Sequence, residues 1–482
     1  MMKLSRRTFI KTGVAAAAAS VSMPAWSQAI GTNDDIRVAI VGLRWRGADH
    51  IVDFRKVPGA RVAAICDVDP QILDRELKKL DKDNYKVFSC TDPRKLLDRR
   101  DIDAMVIATP NHWHALLTVW SCQAGKDVYV EKPVCHSIWD GRRMIEAGQR
   151  YGRIIQSGTQ TRSDHGVQQA VDWVRAGNLG KIQWIHALWF KKRESIGLVP
   201  PHTPDWLDYD LWCGPSPKAP ITRKELHYDW HWMWNTGNGD LGDLGIHEFD
   251  VARWFAGHDG RPPRIMSLGG RFVMNDAGQT PNTQLTVFDY PDIPIIVENR
   301  NLPMKAGETA MDAVRGIRSG VVVQCEGGHY AGYQGGWAYD KDGKRIKQFV
   351  GDGGRDHQKN FIAAMRSRKT SDLRAPIETG YMSTSTCLLG NISYRLGSPA
   401  DSARAHAAVE KLPFAAETVS RIASHLAANG VDLRQTPLNL GPWLTVDDAQ
   451  GTIAAVEGGE LARARSMLKD EYRAPYVIPD KI

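Results

Sequence analysis

An α/β chain is expected, with a doubly wound parallel sheet in the N-terminal part and an α+β domain on a largely antiparallel sheet in the C-terminal part. The first observation is the apolar run 36–41, which ends in a glycine turn and passes into a helix running towards Lys56. The second is alternation: strand-like runs at 62–66, 104–109, 127–130 and 154–157 are separated by helical stretches such as 92–99 and 113–124. Strands that alternate with helices make a parallel sheet. The third is a change of pattern beyond Gly158, where strand-like runs at 181–190, 284–290, 293–298 and 320–324 look antiparallel, with Pro- and Gly-rich loops at 199–222 and 257–270. From Asp356 onwards, stretches such as 357–368 and 379–396 read as amphipathic helices. The expected division is a leader over 1–29, a first domain over 35–157, a second over 158–355, and C-terminal helices with an extension over 356–482.

At 482 residues the chain is long enough for two packed domains, and 42% hydrophobic with 24% charged residues is an ordinary globular balance. The formal charge of +7 includes Lys3, Arg6, Arg7 and Lys11 of the leader, and setting those four aside leaves +3. No basic run stands out in the remainder, which argues against a nucleic-acid partner. Ser5-Arg6-Arg7-Thr8-Phe9-Ile10-Lys11, followed by an alanine-rich stretch to Ala25, resembles a twin-arginine export signal with cleavage near Ser27 or Ala29. This implies the twin-arginine export machinery as a partner, export of an already folded protein, and a periplasmic location. No later stretch is long and apolar enough to span a bilayer. The seven cysteines form neither a paired framework nor a CxxC site, so most are expected as buried thiols.

The glycine turn is Gly42-Leu43-Arg44-Trp45-Arg46-Gly47. A strand, glycine turn and helix hold pyrophosphate at the helix N-terminus. Arg44 stands where the middle glycine of that pattern belongs, and the Arg44 or Arg46 guanidinium can pair with phosphate instead. The second strand ends in Asp67, twenty positions beyond Gly47. A carboxylate there accepts from the adenosine ribose and repels a 2′-phosphate, which favours NAD, while the arginines keep NADP open. Asp69, ahead of Pro70, is the better helix cap.

Val128-Tyr129-Val130 reads as a buried strand that delivers Glu131-Lys132-Pro133 to the carboxyl edge of the sheet, where ligands gather. Pro133 restricts Lys132 to an extended conformation and suggests a cis bond. Thr109-Pro110-Asn111-His112-Trp113-His114, then Gly125-Lys126, then Glu131-Lys132-Pro133 resembles the Gfo/Idh/MocA oxidoreductases in order and spacing. That resemblance implies a Rossmann nucleotide domain packed against an open-faced sheet, with some C-terminal helices returning to the nucleotide domain. It also implies that Thr109, Asn111 and His114 line the nicotinamide side, that Glu131 approaches the cofactor, and that Lys132 contacts the reacting hydroxyl. With Gly42, Arg44, Trp45, Arg46, Gly47 and Asp67, these make the candidate cofactor set.

Residues 239–250 carry the remaining chemistry. If residues from Leu241 onwards are helical, Asp243 and His247 lie one turn apart on one face. A neutral imidazole accepts a hydroxyl proton as hydride leaves carbon, and a carboxylate beside it orients the ring or holds a second hydroxyl. His247, Lys132 and Asp243 are therefore the catalytic candidates, matching the family's Asp-x-x-x-His. Upstream, 227–234 alternates with period two, which as a strand gathers Tyr228, Trp230, Trp232 and Trp234 on one face. Such rings suit sugar stacking or core packing equally. Arg162, Trp232 and Trp234 are the substrate candidates. His227-x-Asp229-x-His231 is read as ordinary hydrogen bonding, with no metal expected.

The resemblance implies oxidation or reduction of a hydroxyl or carbonyl of a sugar, cyclitol or sugar derivative. Export removes the cytoplasmic pool of nicotinamide, so the leading expectation is an exported sugar oxidoreductase with tightly bound, internally recycled NAD(P), like exported glucose-fructose oxidoreductases. A redox-neutral glycoside hydrolase or lyase acting by transient ring oxidation is the alternative, and a non-catalytic sugar-binding protein the third. A homo-oligomer is expected; the C-terminal extension is assigned no role from sequence, an oligomer contact being one option.

Overall fold

β1 (Ile36–Val41) is buried along almost its whole length, as a strand covered by helices on both faces must be. With β2 (Ala60–Cys66), β3 (Phe88–Cys90), β4 (Ala104–Ile107), β5 (Asp127–Val130) and β6 (Ile155–Ser157) it forms a sheet in the order β3-β2-β1-β4-β5-β6. Every pairing is parallel. The order reverses between β1 and β4, which opens a crevice at their carboxyl ends. The computed structural model describes residues 35–482, and the expected leader over 1–29 lies outside the described residues. Helix Pro70–Lys82 starts as expected, with the Asp69 carboxylate accepting from the Gln71 and Ile72 N–H groups.

The second sheet is mixed and has twelve strands. Its centre is β7 (Ile182–Phe190), β8 (Arg264–Gly270), β9 (Thr283–Asp289), β10 (Ile295–Arg300) and β11 (Ser319–Cys325), extended by β12 (Gly328–Tyr333), β13 (Gly335–Asp340) and β14 (Arg345–Val350). Only β10 with β7 is parallel. The part beyond Asp356 is not all helix: β15 (Ser398–Ala400), β16 (Leu438–Leu440), β17 (Leu444–Asp447) and β18 (Thr452–Val456) join the edge beside β8.

Helix Ile377–Arg395 ties the two sheets together. Just before it, the Ala375 carbonyl accepts from the Ser157 N–H of β6 at 2.9 Å. Thr384 Oγ1 accepts the Val134 N–H at 3.2 Å, and Ser393 Oγ accepts the Ser267 N–H of β8 at 3.0 Å. Gly380 is required here, because a Cβ would lie 2.5 Å from Ser157 Cβ. The C-terminal tail packs on helix Ile138–Tyr151, with Tyr476 and Ile478 buried and the Leu468 carbonyl accepting from the Trp139 N–H. All seven cysteines are buried free thiols. No described helix is long and apolar enough to cross a membrane.

Candidate active site

The glycine turn leaves β1 under steric compulsion at two points. Gly42 has φ +82°, and a Cβ on it would meet the Ala108 carbonyl oxygen at 2.6 Å; one on Gly47 would lie 1.7 Å from the Gly42 oxygen. Position 44 tolerates arginine because the positive φ angles of the turn fall on Gly42 and on Trp45, the latter with φ 47° and ψ −100°. A non-glycine residue held there stores strain of about 1–3 kcal/mol. Asp67 closes the turn: its carboxylate accepts the Leu43 N–H at 2.7 Å and the Asp69 N–H at 2.9 Å, and burial raises its pKa. Two carboxylate lone pairs remain for a ribose.

The two arginines of the turn face carboxylates. Arg44 Nη1 donates to the exposed Glu225 at 2.7 Å, and Arg46 Nε to the buried Glu131 at 2.9 Å. Arg46 is therefore committed to a buried ion pair, while Arg44 has a partner it can exchange for phosphate. Glu131 also accepts from His50 Nε2 at 2.9 Å; despite burial, the Arg46 charge, this hydrogen bond and the Lys132 charge hold its carboxyl well below the usual range, while burial lowers the pKa of His50 itself.

A cavity of ≈ 380 Å³ runs from Gly42 and Asp67 past Thr109 and Asn111 to Lys132, His231 and His247. The cramped glycines, the helix N-terminus and the spare acceptors of Asp67 fit a dinucleotide. The Thr109 hydroxyl is buried without a partner. His114 faces two carbonyls, Pro133 at 2.7 Å and Thr109 at 2.8 Å, so the ring braces the main chain on both sides of the site.

Lys132 follows β5, its bond to Pro133 is cis, and its Nζ donates to the Asp243 carbonyl oxygen at 2.6 Å. Burial lowers the pKa of this ammonium, and Glu131 opposes the shift. His247 lies across the cavity. Burial first, and then the Lys132 charge, push its pKa down to about 3. The ring is therefore neutral at ordinary pH, and Nδ1 has no hydrogen-bond partner.

The expected continuous helix through Asp243 and His247 is corrected. Gly239–Asp243 and Ile246–Ala256 are separate helices. Leu244 leaves helical geometry, and Gly245 sits so close to Asn299 that a Cβ would lie 2.9 Å from its Oδ1. Asp243 does not hold His247. Its carboxylate accepts from the Asn111 side-chain amide and, at 3.1 Å, from the Asn238 N–H, and it is 1% exposed behind Lys132. Burial among neutral donors pushes its pKa up to about 7. Asp243 is a positioning group for Lys132 and Asn111.

Residues 227–234 are not a strand; Asp229–Trp232 is a 3₁₀ turn. His227 Nε2 reaches the Asp69 carboxylate at 2.9 Å, Asp229 accepts the Glu225 N–H at 2.9 Å, and His231 Nδ1 donates to the Tyr228 carbonyl at 2.6 Å. The three side chains diverge, and no group of three or more His, Cys, Asp or Glu among the described residues could hold a metal ion. His231, not singled out as catalytic from sequence, lines the cavity with Nε2 left as an acceptor, and burial pushes its pKa down to about 3. Its partner in sequence, the His-Tyr-Asp-Trp-His cluster, was the available signal.

The three substrate candidates lie elsewhere. Arg162 is held by both oxygens of the buried Asp250, at 2.7 and 3.0 Å. Trp232 is 4% exposed and packs under Arg193. Trp234 lines a different cavity.

Residues 36–159 match the Gfo/Idh/MocA oxidoreductase family with its NAD-binding Rossmann fold, and 173–309 match that family's C-terminal alpha/beta domain. The chain belongs to the Gfo/Idh/MocA family. Among its relatives, a glycosyl hydrolase family 109 protein of Shewanella pealeana is 27% identical over 236 residues, 43% of this chain and 51% of that protein. Glycosyl hydrolase family 109 protein 2 of Shewanella sp. strain ANA-3 is 31% identical over 222 residues, 40% and 49%. The chain thus spans about half the length of the curated relatives it matches. An oxidoreductase domain protein of Kribbella flavida superposes with a TM-score of 0.57 at 16% identity, over 74% of this chain and 96% of that one. The WlbA dehydrogenase of Chromobacterium violaceum, solved with NADH and UDP-GlcNAcA, gives 0.56 at 16% identity, over 76% and 95%. At these identities the likeness is one of fold.

Proposed function

We propose that this protein cleaves a glycoside without net oxidation, by transiently oxidising a ring hydroxyl and eliminating the leaving group. The observation that carries the reading is a pair of neutral imidazoles, His247 and His231, lining one cavity with Lys132. A simple dehydrogenation needs one base; elimination needs a second, for the C–H acidified by the new carbonyl. Bound NAD would take hydride from the ring carbon and return it. His247 takes the hydroxyl proton, and Lys132 stabilises the developing negative charge on oxygen while held by the Asp243 carbonyl. His231 removes the C–H proton through Nε2, its Nδ1–H anchored on Tyr228; the leaving group departs with a proton as its alcohol, water adds to the resulting double bond with a proton returned to the deprotonated carbon, and the carbonyl is reduced last, with His247 giving back the hydroxyl proton. The names of the Shewanella relatives support the same reading.

A redox-neutral cycle also suits the twin-arginine pattern at residues 5–11, because an exported protein carrying its own NAD into the periplasm needs no outside acceptor. The second reading, a sugar oxidoreductase with net hydride transfer, is favoured by the Lys132 and His247 pair alone. Aryl glycosides in deuterated water separate the two. Release of nitrophenol with deuterium entering the sugar and no net NADH supports elimination. Stoichiometric NADH without aglycone release supports the oxidoreductase and sinks the elimination.

A further inference from the structure

A second cavity, of ≈ 460 Å³, lies among residues 209–223, the turn 233–236 and the C-terminal tail at 470–472. Pro217, Ala219 and Glu471 are exposed at its rim, and Trp212 is shared with the cavity at Lys132. None of the chemistry described above uses it.

Its walls pair cations with tryptophans twice. Arg223 lies 5.7 Å from the Trp212 ring centre, and Arg395 lies 5.2 Å from that of Trp234. Arg223 is 5% exposed, its Nε and Nη2 have no hydrogen-bond partner, and no described carboxylate forms an ion pair with it. Asp229 acts on it only at a distance, its carboxylate being turned to the Glu225 N–H. A buried guanidinium without an anion is costly. At another wall His136 donates through Nδ1 to Asp470 at 2.5 Å, while its buried Nε2 has no partner. Tyr209 and Tyr472 complete the aromatic lining. Concave, mostly apolar sites with a few convergent polar groups are where small ligands bind.

We infer that this cavity binds an acidic saccharide, its negative group held by Arg223 and a ring face laid against the half-buried Trp234. The inference is independent of the reaction at Lys132. It gives the C-terminal extension a function, because Asp470 and Tyr472 are supplied from it.

The test is calorimetric titration of the full chain with glucuronate, glucose 6-sulfate, glucose and inorganic sulfate. Glucuronate is expected to bind saturably and at least about tenfold more tightly than glucose, as loss of one charge-assisted hydrogen bond implies. Arg223→Gln weakens it by a similar factor, and Arg223→Lys restores part. Trp234→Ala and Arg395→Gln, at less buried positions, weaken it even if the Arg223 variants do not fold. Tighter binding of glucose 6-sulfate supports the inference and assigns the negative group to a sulfate ester. Equal affinity for glucose and glucuronate, inorganic sulfate matching the sugars, or binding unchanged in Arg395→Gln and Trp234→Ala overturns it. His247→Ala leaves the titration intact; loss of binding there would put the ligand at the nicotinamide cavity and also overturn it, whatever becomes of the proposed reaction.

Discussion

The carboxyl edge of the nucleotide sheet and the turn at 239–245 each bury a carboxylate beside Lys132, and they drive it in opposite directions. Glu131 meets Arg46 and His50 and stays ionised far into acid; Asp243 meets an amide and a main-chain N–H and is pushed up to about 7. Burial is nearly the same, at 5% and 1% exposure, so the partners decide the charge. A cation offsets desolvation of an anion, and neutral donors offset it only in part. The nucleotide side is thus a fixed electrostatic floor, while the turn places Lys132 by its carbonyl without needing a charged carboxylate.

The largest effect expected is at the base. His247→Ala lowers turnover by about 10²–10⁴-fold while the nicotinamide released on denaturation stays at the wild-type level; normal turnover removes His247 from the mechanism. Glu131→Gln removes the buried carboxylate from a one-third-exposed Arg46 that keeps Asp49 and Asp53 within 3.9 Å, and lowers unfolding free energy by about 1–3 kcal/mol, read from denaturant melts. An unchanged melting midpoint would show that the floor is not electrostatic.

The two carboxylates also oppose each other in pH dependence. The folded-state pKa of Asp243 is raised, so its contribution is fully present below about pH 4 and is lost as pH rises to about 7, by up to about tenfold in the folding equilibrium per pH unit. Asp243→Asn removes that slope with at most a small change in turnover near neutrality. The folded-state pKa of Glu131 is depressed, so its contribution is present above the usual glutamate range and falls away in acid. Melting temperature against pH for the two variants checks both signs, and parallel profiles would refute the contrast. The smallest effect is at Arg44, whose pair with Glu225 is partly exposed and contributes about 0–1 kcal/mol after solvent screening. Arg44→Ala is expected to change NAD affinity less than about fivefold, measured by titration; a larger loss would make Arg44 the main phosphate ligand.

The nucleotide fold was legible because its signals are local. Gly42 and Gly47 are separated by one turn, Asp69 caps the helix that Pro70 begins, and β1 and β2 are continuous apolar runs. Lys132 and His247 were legible as candidates from ordered motifs, and both line one cavity. The helical continuity from Asp243 to His247 was misread because an Asp-x-x-x-His spacing does not reveal that Asn299, on β10, crowds Gly245 at the break between the two helices. Alternation at 227–234 misled because aromatic and polar residues also alternate through a tight turn whose side chains find partners elsewhere. Arg162, a substrate candidate from the sequence, is instead paired with the buried Asp250.

Sequence by itself determined the alternation of strands and helices that makes the first sheet parallel, the cramped glycine turn, and Lys132 and His247 as candidates, because those signals lie within a turn, a strand or a short motif. Tertiary structure alone decided what surrounds them. His227 meets Asp69 across 158 residues, Lys132 meets Asp243 across 111, and His136 meets Asp470 across 334. The charge of a buried group follows from such partners, and no local pattern encodes a partner so distant along the chain.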